Sequence, residues 1–483
     1  MLASAAHQET LAVRIRMSMT LFEKIWSEHL IAMLGEESGL IAIDRILLHE
    51  RTGGIALQSL AERGKTVLDP AQAFATMDHV VDTRIGRTDE TTMPGGTAFI
   101  TTTREAARAH GITLFDLGDP AQGIVHVISP ERGIVLPGLT LVCADSHTGT
   151  QGALGALAWG IGSTEAEHAL GTGTLRVRKP RTMRVTVEGT LGLGVTAKDL
   201  ALAIIGELGA GGASGHIVEF AGPAVGTLDI EARLTLCNMA TELSAFSAII
   251  APDATTLAYL KGRPNAPQGA DWDRAAAHWA GLSSDPDATF DRDVTIDAGS
   301  VAPTVTWGTS PQQAVPIDGT VPDLAHSPHD TAESHARALA YMDLAPGMAL
   351  AGLPIDAAFI GSCTNSRLSD LRRAARILDG RKVAPGVTAI CVPGSTPVKL
   401  AAEAEGIDRV FRDAGFEWRE SGCSMCFFSG GESFGLEQRV ISSTNRNFES
   451  RQGPRTRSHL ASPETVAASA IAGHIVDPRS FAR

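Results

Sequence analysis

The sequence is poor in several residue types, and each shortage limits what the protein can be. Of its 483 residues only six are cysteines and two are tyrosines, and no run approaches 18 consecutive apolar residues. We therefore expect no membrane-spanning helix and no disulfide framework. The net charge is −13. This charge argues against binding to nucleic acid or to anionic membranes, because nothing in the composition supplies a basic face.

The amino-terminal segment 1–18 also lacks a feature, since it has no apolar core of the secretory type. We interpret this segment as an extension, and we expect the folded part to begin near Met19. The expectation is a cytoplasmic protein whose thiols are reduced.

Glycine is abundant at 50 residues, and apolar residues make up 43% of the chain. Short apolar runs end in Gly, Ser or Asp and are followed by helical patterns, as in residues 138–147, 356–380 and 386–406. Strands that alternate with helices predict parallel sheets and an α/β fold, with ligands at the carboxyl ends of the strands. The small residues of 152–171, GALGALAWGIGSTEAEHALG, predict one tightly packed helix.

The length of the chain allows about three domains. The pattern changes near residue 181, and a stretch rich in Pro, Asp and Thr covers 284–330. We predict an α/β domain over 19–183, a smaller α/β domain over 184–296 and a third α/β domain over 297–483.

The six cysteines fall into two groups. Three lie in apolar runs and are predicted to be small buried hydrophobic residues: Cys143, Cys237 and Cys391. Cys363 follows a predicted strand in GSCTNS, and Cys423 and Cys426 form a CxxC pair in a Gly- and Ser-bounded loop. These three are candidate metal ligands.

Three kinds of site are compatible with these thiols. A structural zinc site requires four ligands and has no second pair here, and a redox CxxC is typical of an early strand-to-helix junction in a small domain. A [4Fe–4S] cluster held by three thiolates leaves one iron open to another ligand. The spacing alone leaves all three open.

Longer motifs carry a resemblance. FIGSCTNSR, GCSMC and STNRNFESRQG occur in this order, together with FATMDH, GIVHVI, LPGLTLVCADSHT and VTWGTSP. The sequence resembles the aconitase/isopropylmalate isomerase family of hydro-lyases over nearly its whole length. The resemblance implies three α/β/α domains around one [4Fe–4S] cluster that Cys363, Cys423 and Cys426 hold.

The resemblance also implies a reaction, the dehydration and rehydration of a hydroxy dicarboxylic acid. An open iron acts as a Lewis acid on the hydroxyl group, and a base removes a carbon-bound proton. Catalytic roles are implied for Asp78, His79, His126, Asp145, His147 and Glu242. Substrate-binding roles are implied for Arg446, Arg451, Asn238 and Asn445. His49 and Glu50, in LLHERT, match the family less well.

One part of the family pattern is missing. No Gly-Ser-Ser-Arg segment occurs in the sequence, so the resemblance implies a separate small subunit that carries the fourth, swivel domain and supplies the serine base. We expect isomerisation of 2- and 3-isopropylmalate. The unusual FFSGG after Cys426 leaves citramalate, dimethylmalate or a homoaconitate-like acid as alternatives. A cluster-based sensor is a third possibility, which the retained pocket residues and the net charge of −13 oppose.

Overall fold

The computed structural model describes residues 18–428 and 431–481, and within them the chain is an α/β protein with three parallel sheets. The predicted α/β class is confirmed. The predicted extension 1–18 lies outside the described residues except for Ser18. The first helix begins after Thr20, whose side chain and that of Glu23 form a reciprocal capping box. None of the described helices is long and apolar enough to cross a membrane.

The first parallel sheet has five strands in the order β5-β4-β3-β6-β7, and a small antiparallel sheet has the order β1-β2-β8. The elements are α1 (Leu21–His29), β1 (Leu30–Met33), β2 (Ser38–Ala42), β3 (Arg45–His49), α2 (Gly53–Glu62), β4 (Ala73–Thr76), α3 (Gly96–His110), β5 (Thr113–Phe115), α4 (Val125–Glu131), β6 (Thr140–Cys143), β7 (Leu157–Gly160), α5 (Ser163–Thr172) and β8 (Thr174–Arg178). A 3-10 segment, Ser146–Leu154, connects β6 to β7.

The second parallel sheet has four strands in the order β11-β10-β9-β12. Its elements are β9 (Arg181–Glu188), α6 (Ala197–Leu208), β10 (His216–Ala221), α7 (Pro223–Thr227), α8 (Ile230–Met239), β11 (Ser247–Ile249), α9 (Ala254–Leu260), α10 (Gly269–Trp279) and β12 (Arg292–Asp297). Strand β9 crosses the predicted boundary at 183/184, and the domain boundaries stay predictions.

The third parallel sheet has five strands in the order β17-β16-β15-β18-β19, beside an antiparallel pair, β13-β14. Its elements are β13 (Thr304–Thr306), β14 (Ala314–Pro316), α11 (Ala332–Met342), β15 (Ala357–Ile360), α12 (Leu368–Leu378), β16 (Thr388–Cys391), α13 (Thr396–Ala404), α14 (Ile407–Ala414), β17 (Glu417–Trp418), β18 (Arg439–Ser442), β19 (Arg457–Leu460) and α15 (Pro463–Ala472).

Helix α4 belongs to two hydrophobic cores. One continuous core joins the first two sheets, and it includes Val125 and Ile128 of this helix. A separate core surrounds the third sheet, and it includes Val127 and the preceding Ile124. The first turn of α4 therefore packs against both cores.

The helix predicted over 152–171 is wrong. The stretch contains the end of the 3-10 segment, then β7, then α5. Gly155 has φ +79°, a left-handed conformation that interrupts a helix, and a Cβ on Gly152 would lie 1.8 Å from the Ala248 carbonyl oxygen. The small residues permit a turn and a close backbone approach, and they do not form one helical face.

We predict that Gly152→Ala destabilises the protein by ~3 kcal/mol, because the backbone around Ala248 must move to admit the methyl group. Thermal unfolding measures the effect as a lowered melting temperature. Gly149→Ala is the matched control in the same segment, since its Cβ would meet no atom closer than 3.6 Å. Equal melting temperatures for the two variants would contradict the close approach.

Candidate active site

The carboxyl ends of strands from the first and third sheets face one cavity of about 240 Å³. Loops after β4 and β6 enter it from one side, and loops after β15, β17 and β18 enter it from the other. Ten of the predicted site residues line the cavity: His79, His126, Asp145, His147, Cys363, Cys423, Cys426, Asn445, Arg446 and Arg451. Asp78, Asn238 and Glu242 lie behind this lining and hydrogen-bond to it.

The three candidate thiols lie buried on the third-sheet side of the cavity. The side-chain amide of Asn238 donates to Cys363 Sγ at 3.2 Å, and that of Asn445 donates to the same sulfur at 3.5 Å. Ser362 Oγ lies 3.0 Å from Cys426 Sγ. Such donors stabilise sulfur in its thiolate form.

The spacing of these sulfur atoms matters for the kind of group that they can bind. Among the described residues, the sulfurs of Cys363, Cys423 and Cys426 do not form a group within 4.8 Å of one another. A single zinc ion, with sulfur ligands at about 2.3 Å, requires closer sulfurs. Burial raises the pKa of Cys363 to about 12, so a cationic group must offset the charge if this thiol is to ionise. The donor set fits a larger, multi-iron group.

The loops that carry the thiols contain two serines in the left-handed region, Ser362 at φ +80° and Ser424 at φ +47°. Glu432 holds the second loop, since its carboxylate accepts from Ser424 Oγ at 2.7 Å, from Thr83 Oγ1 at 2.6 Å and from Arg419 at 3.2 Å. This buried acid explains how the strained turn persists. It was not predicted from the sequence, where it looks like any acidic residue in a polar loop.

Asp145 is the centre of the polar network on the first-sheet side. Its carboxylate lies 3.3 Å from His79 Nε2 and 2.9 Å from His126 Nε2, and it accepts from the His147 backbone N–H at 2.7 Å. Burial raises the pKa of Asp145, but these hydrogen bonds outweigh burial and hold it well below 3.8. The Gln151 amide donates to His126 Nδ1 at 3.2 Å, so the Nε2 of His126 bears the proton that Asp145 accepts.

His79 lies between two carboxylates, because its Nδ1 is 2.6 Å from Asp78 Oδ1 on the side away from Asp145. Burial lowers the pKa of His79, but Asp78, Cys423 and Asp145 together outweigh it, and the pKa lies well above 6.5. The Asp78 backbone N–H donates to Glu50 at 3.0 Å. His49 stacks on the His79 ring, with centroids 4.0 Å apart, and lines the cavity. The weakly matched pair of His49 and Glu50 thus lies beside the site.

The two predicted arginines differ in their partners. Arg446 donates to Glu242 at 2.8 Å and to Ser146 at 3.1 Å, and His147 Nε2 lies 3.0 Å from the same Glu242 carboxylate. Burial raises the pKa of Glu242, but His147 and Arg446 outweigh it and lower the pKa below 4.5. Arg451 has no carboxylate partner among residues 18–428 and 431–481.

Lys198, near the start of α6, supports the loop that carries Asn445 and Arg446. Its ammonium group is buried and donates to the carbonyl oxygens of Ser443 at 2.9 Å and Thr444 at 2.5 Å. Burial lowers the pKa of Lys198 to about 7. The sequence gives no sign that this lysine reaches a loop 245 residues away.

We predict that Lys198→Met lowers the melting temperature by several degrees, because two buried carbonyl oxygens lose their donor at ~1–3 kcal/mol each. Relative to the wild type, amide hydrogen exchange should accelerate more in residues 443–446 than in β15. Lys261→Met, which removes an exposed lysine at the end of α9, is the control and should alter neither measurement. Unchanged exchange in the loop of the Lys198 variant would contradict its supporting role.

Comparisons with known proteins agree with this geometry. Residues 23–473 match the model of the aconitase family (aconitate hydratase). The chain is 52% identical over 469 residues to the 3-isopropylmalate dehydratase large subunit 1 of Bradyrhizobium diazoefficiens, a match that covers 96% of this chain and 97% of that protein. The matched region contains every residue of the cavity described above. The chain belongs to the aconitase family and is an enzyme of the hydro-lyase type.

Proposed function

We propose that this chain is the large subunit of an isopropylmalate-isomerising hydro-lyase of the cytoplasm. The enzyme interconverts 2- and 3-isopropylmalate, by loss and return of water, in leucine biosynthesis. One observation supports this proposal above the others, the 52% identity that extends over nearly all of both chains. The cavity supports it independently, because thiols, imidazoles and guanidinium groups meet there.

In this proposal Cys363, Cys423 and Cys426 hold one [4Fe–4S] cluster. Two observations support a group of that size: the three sulfurs do not all lie within 4.8 Å of one another, and two amides donate to Cys363. When it is bound, such a cluster supplies a Lewis-acidic iron that weakens the substrate's carbon–oxygen bond. The thiols and the histidines line the same cavity, so the acid–base groups lie within reach of a substrate held there.

His79 is the proposed donor of the proton that the departing hydroxide requires. A carboxylate faces each of its ring nitrogens, at 2.6 and 3.3 Å, so the ring can carry both N–H protons. His126 and His79 keep the Asp145 carboxylate ionised, and the backbone N–H of His147 helps to fix it in place. These groups orient and hold a proton without bulk water, because they are largely buried.

Arg446 and Arg451 are the proposed partners of the substrate carboxylates. Guanidinium forks bind carboxylates in a bidentate manner, and both arginines border the cavity. A base for the carbon-bound proton is still needed. We propose that a small subunit with the swivel domain supplies it as a serine, which agrees with the name "large subunit" of the Bradyrhizobium relative.

The proposed domains assign different parts of this work. The first, 19–183, carries the histidines and aspartates, and the third, 297–483, carries the thiols and arginines. The second, 184–296, contributes Asn238 and Glu242 from behind the cavity. The site thus lies where all three meet.

A second candidate substrate has one observation in its favour. Phe427, the first residue of the unusual FFSGG, lines the cavity. A ring at this position alters the volume of the cavity that is open to the substrate's alkyl group. This favours a sibling hydro-lyase that acts on citramalate, dimethylmalate or a homoaconitate-like acid.

We predict that Cys426→Ser abolishes the visible absorbance of the anaerobically reconstituted protein, because an oxygen ligand replaces one of three thiolates. Cys391→Ser is the matched control, since Cys391 is equally buried but lies in β16 away from the cavity. Retained absorbance in the Cys426 variant would refute its assignment as a ligand.

We predict that the reconstituted chain alone shows no turnover, and that mixing it with the small subunit produces activity with 2- and 3-isopropylmalate above that with citramalate. The absorbance of the unsaturated intermediate measures turnover by the single chain and by the mixture. Full activity of the single chain would refute the need for a partner. Turnover of citramalate without turnover of isopropylmalate would move the proposal to the second candidate.

A further inference from the structure

A third arginine, Arg51, borders the cavity and has no part in the function proposed above. It lies in the turn between β3 and α2, two residues after the carboxyl end of the central strand of the first sheet. His49, the last residue of β3, lines the cavity beside it. The fold therefore places this half-buried guanidinium among the acid–base groups of the cavity.

The ring of Phe427 holds this guanidinium in place. The central carbon of the Arg51 guanidinium lies 4.5 Å from the ring centroid, and that of Arg451 lies 5.1 Å from the same centroid. Arg451 also lies 4.9 Å from the Phe448 ring. Cation–π stacking holds a planar fork in one orientation and leaves its N–H groups free to donate in the plane. One phenylalanine thus orients two arginines.

Neither of these two arginines has its full set of acceptors. Arg51 Nη1 and Arg451 Nε are buried without a hydrogen-bond partner, and no carboxylate in residues 18–428 or 431–481 pairs with either side chain. Arg446 in the same cavity differs, since Glu242 neutralises it. Buried N–H groups of a cation are costly when unpaired, and burial lowers the pKa of Arg51. The arrangement fits an anion that enters from the cavity.

The distances suit a short dicarboxylate. Both guanidinium carbons lie about 5 Å from the Phe427 centroid, so they are within about 10 Å of each other. Three carbon–carbon bonds of ~1.5 Å separate the carboxylate carbons of a malate by about 4 Å. A hydrogen-bonded carboxylate at each end extends the reach by several more ångströms, which covers the span between the arginines.

We propose that Arg51, oriented by Phe427, binds one carboxylate of the substrate while Arg451 binds the other. This inference rests on the proposed function only in taking a malate-type dicarboxylate as the substrate. It adds a substrate-binding residue from the first sheet, so that Arg446, which is already paired with Glu242, is a second contact to one of the two carboxylates and not its sole partner. The proposal also gives Phe427, the first residue of FFSGG, a role, since its ring contacts both arginines.

The test measures by calorimetry how tightly three ligands bind to the complete heterodimer. The ligands are 2-isopropylmalate and its two monoamides, in each of which one carboxylate is replaced by a neutral carboxamide. Arg51→Gln should weaken 2-isopropylmalate binding roughly 10- to 100-fold, the loss of a charge-assisted pair. The monoamide that lacks the carboxylate bound by Arg51 should bind the wild type and the variant equally, whereas the other monoamide should still lose affinity. In turnover assays KM should rise more than kcat falls.

Three further variants complete the design. Arg63→Gln removes an equal charge from the exposed end of α2 and should leave every affinity unchanged. Phe427→Leu keeps Arg51 but removes the ring, and it should weaken binding of the same carboxylate to a smaller extent. Arg51→Lys tests the fork, since a point charge should restore only part of the affinity.

Two results would overturn the inference. One is unchanged 2-isopropylmalate binding in Arg51→Gln, and the other is an equal loss for the diacid and both monoamides, which would indicate a general disturbance of the site. A wild-type heterodimer that binds citramalate and not isopropylmalate would contradict only the proposed substrate. The same comparison, made with citramalate and its monoamides, then decides the role of Arg51.

Discussion

The Asp145 carboxylate is the interaction on which the acid–base side of the cavity depends. It lies at the end of β6 and contacts groups that come from three other places in the chain: the loop after β4, the start of α4 and the 3-10 segment. A buried carboxylate is stable only when several donors surround it. The requirement for charge compensation therefore brings the histidines together. Their positions follow from the need to supply hydrogen-bond donors to the two carboxylate oxygens of Asp145.

Part of this site could be predicted from the residues themselves, because some of them stand directly after apolar runs that form parallel strands, whereas the other site residues and the roles were implied by the family resemblance. Asp145 after β6 and Cys363 after β15 follow from that rule. Lys198 and Glu432 could not be predicted, since each supports a loop through contacts that depend on tertiary packing. Local patterns do not report which distant backbone groups need a partner.

The stretch 152–171 shows a different limit. The sequence predicts its glycines to be small residues on a helix, whereas in the structure Gly152 admits the backbone of Ala248 and Gly155 forms a left-handed turn. Both uses of glycine give the same composition, and only the packed neighbour distinguishes them. The fold class was predictable because alternation of strands and helices persists over hundreds of residues, where such local ambiguities do not accumulate.

Helix α4 has a consequence for the mechanics of the site. Its apolar side chains are divided between two cores, and His126 lies on the same turn. The His126 carbonyl oxygen accepts a hydrogen bond from Arg367, which lies in the loop after β15 that also carries Cys363. If the third sheet and its loops shift relative to the first sheet, His126 must move as well, since tightly packed side chains transmit displacement. The helix thus works as a mechanical link. Through this helix, the position of the His126 imidazole relative to the Asp145 carboxylate depends on the distance between the first and third sheets.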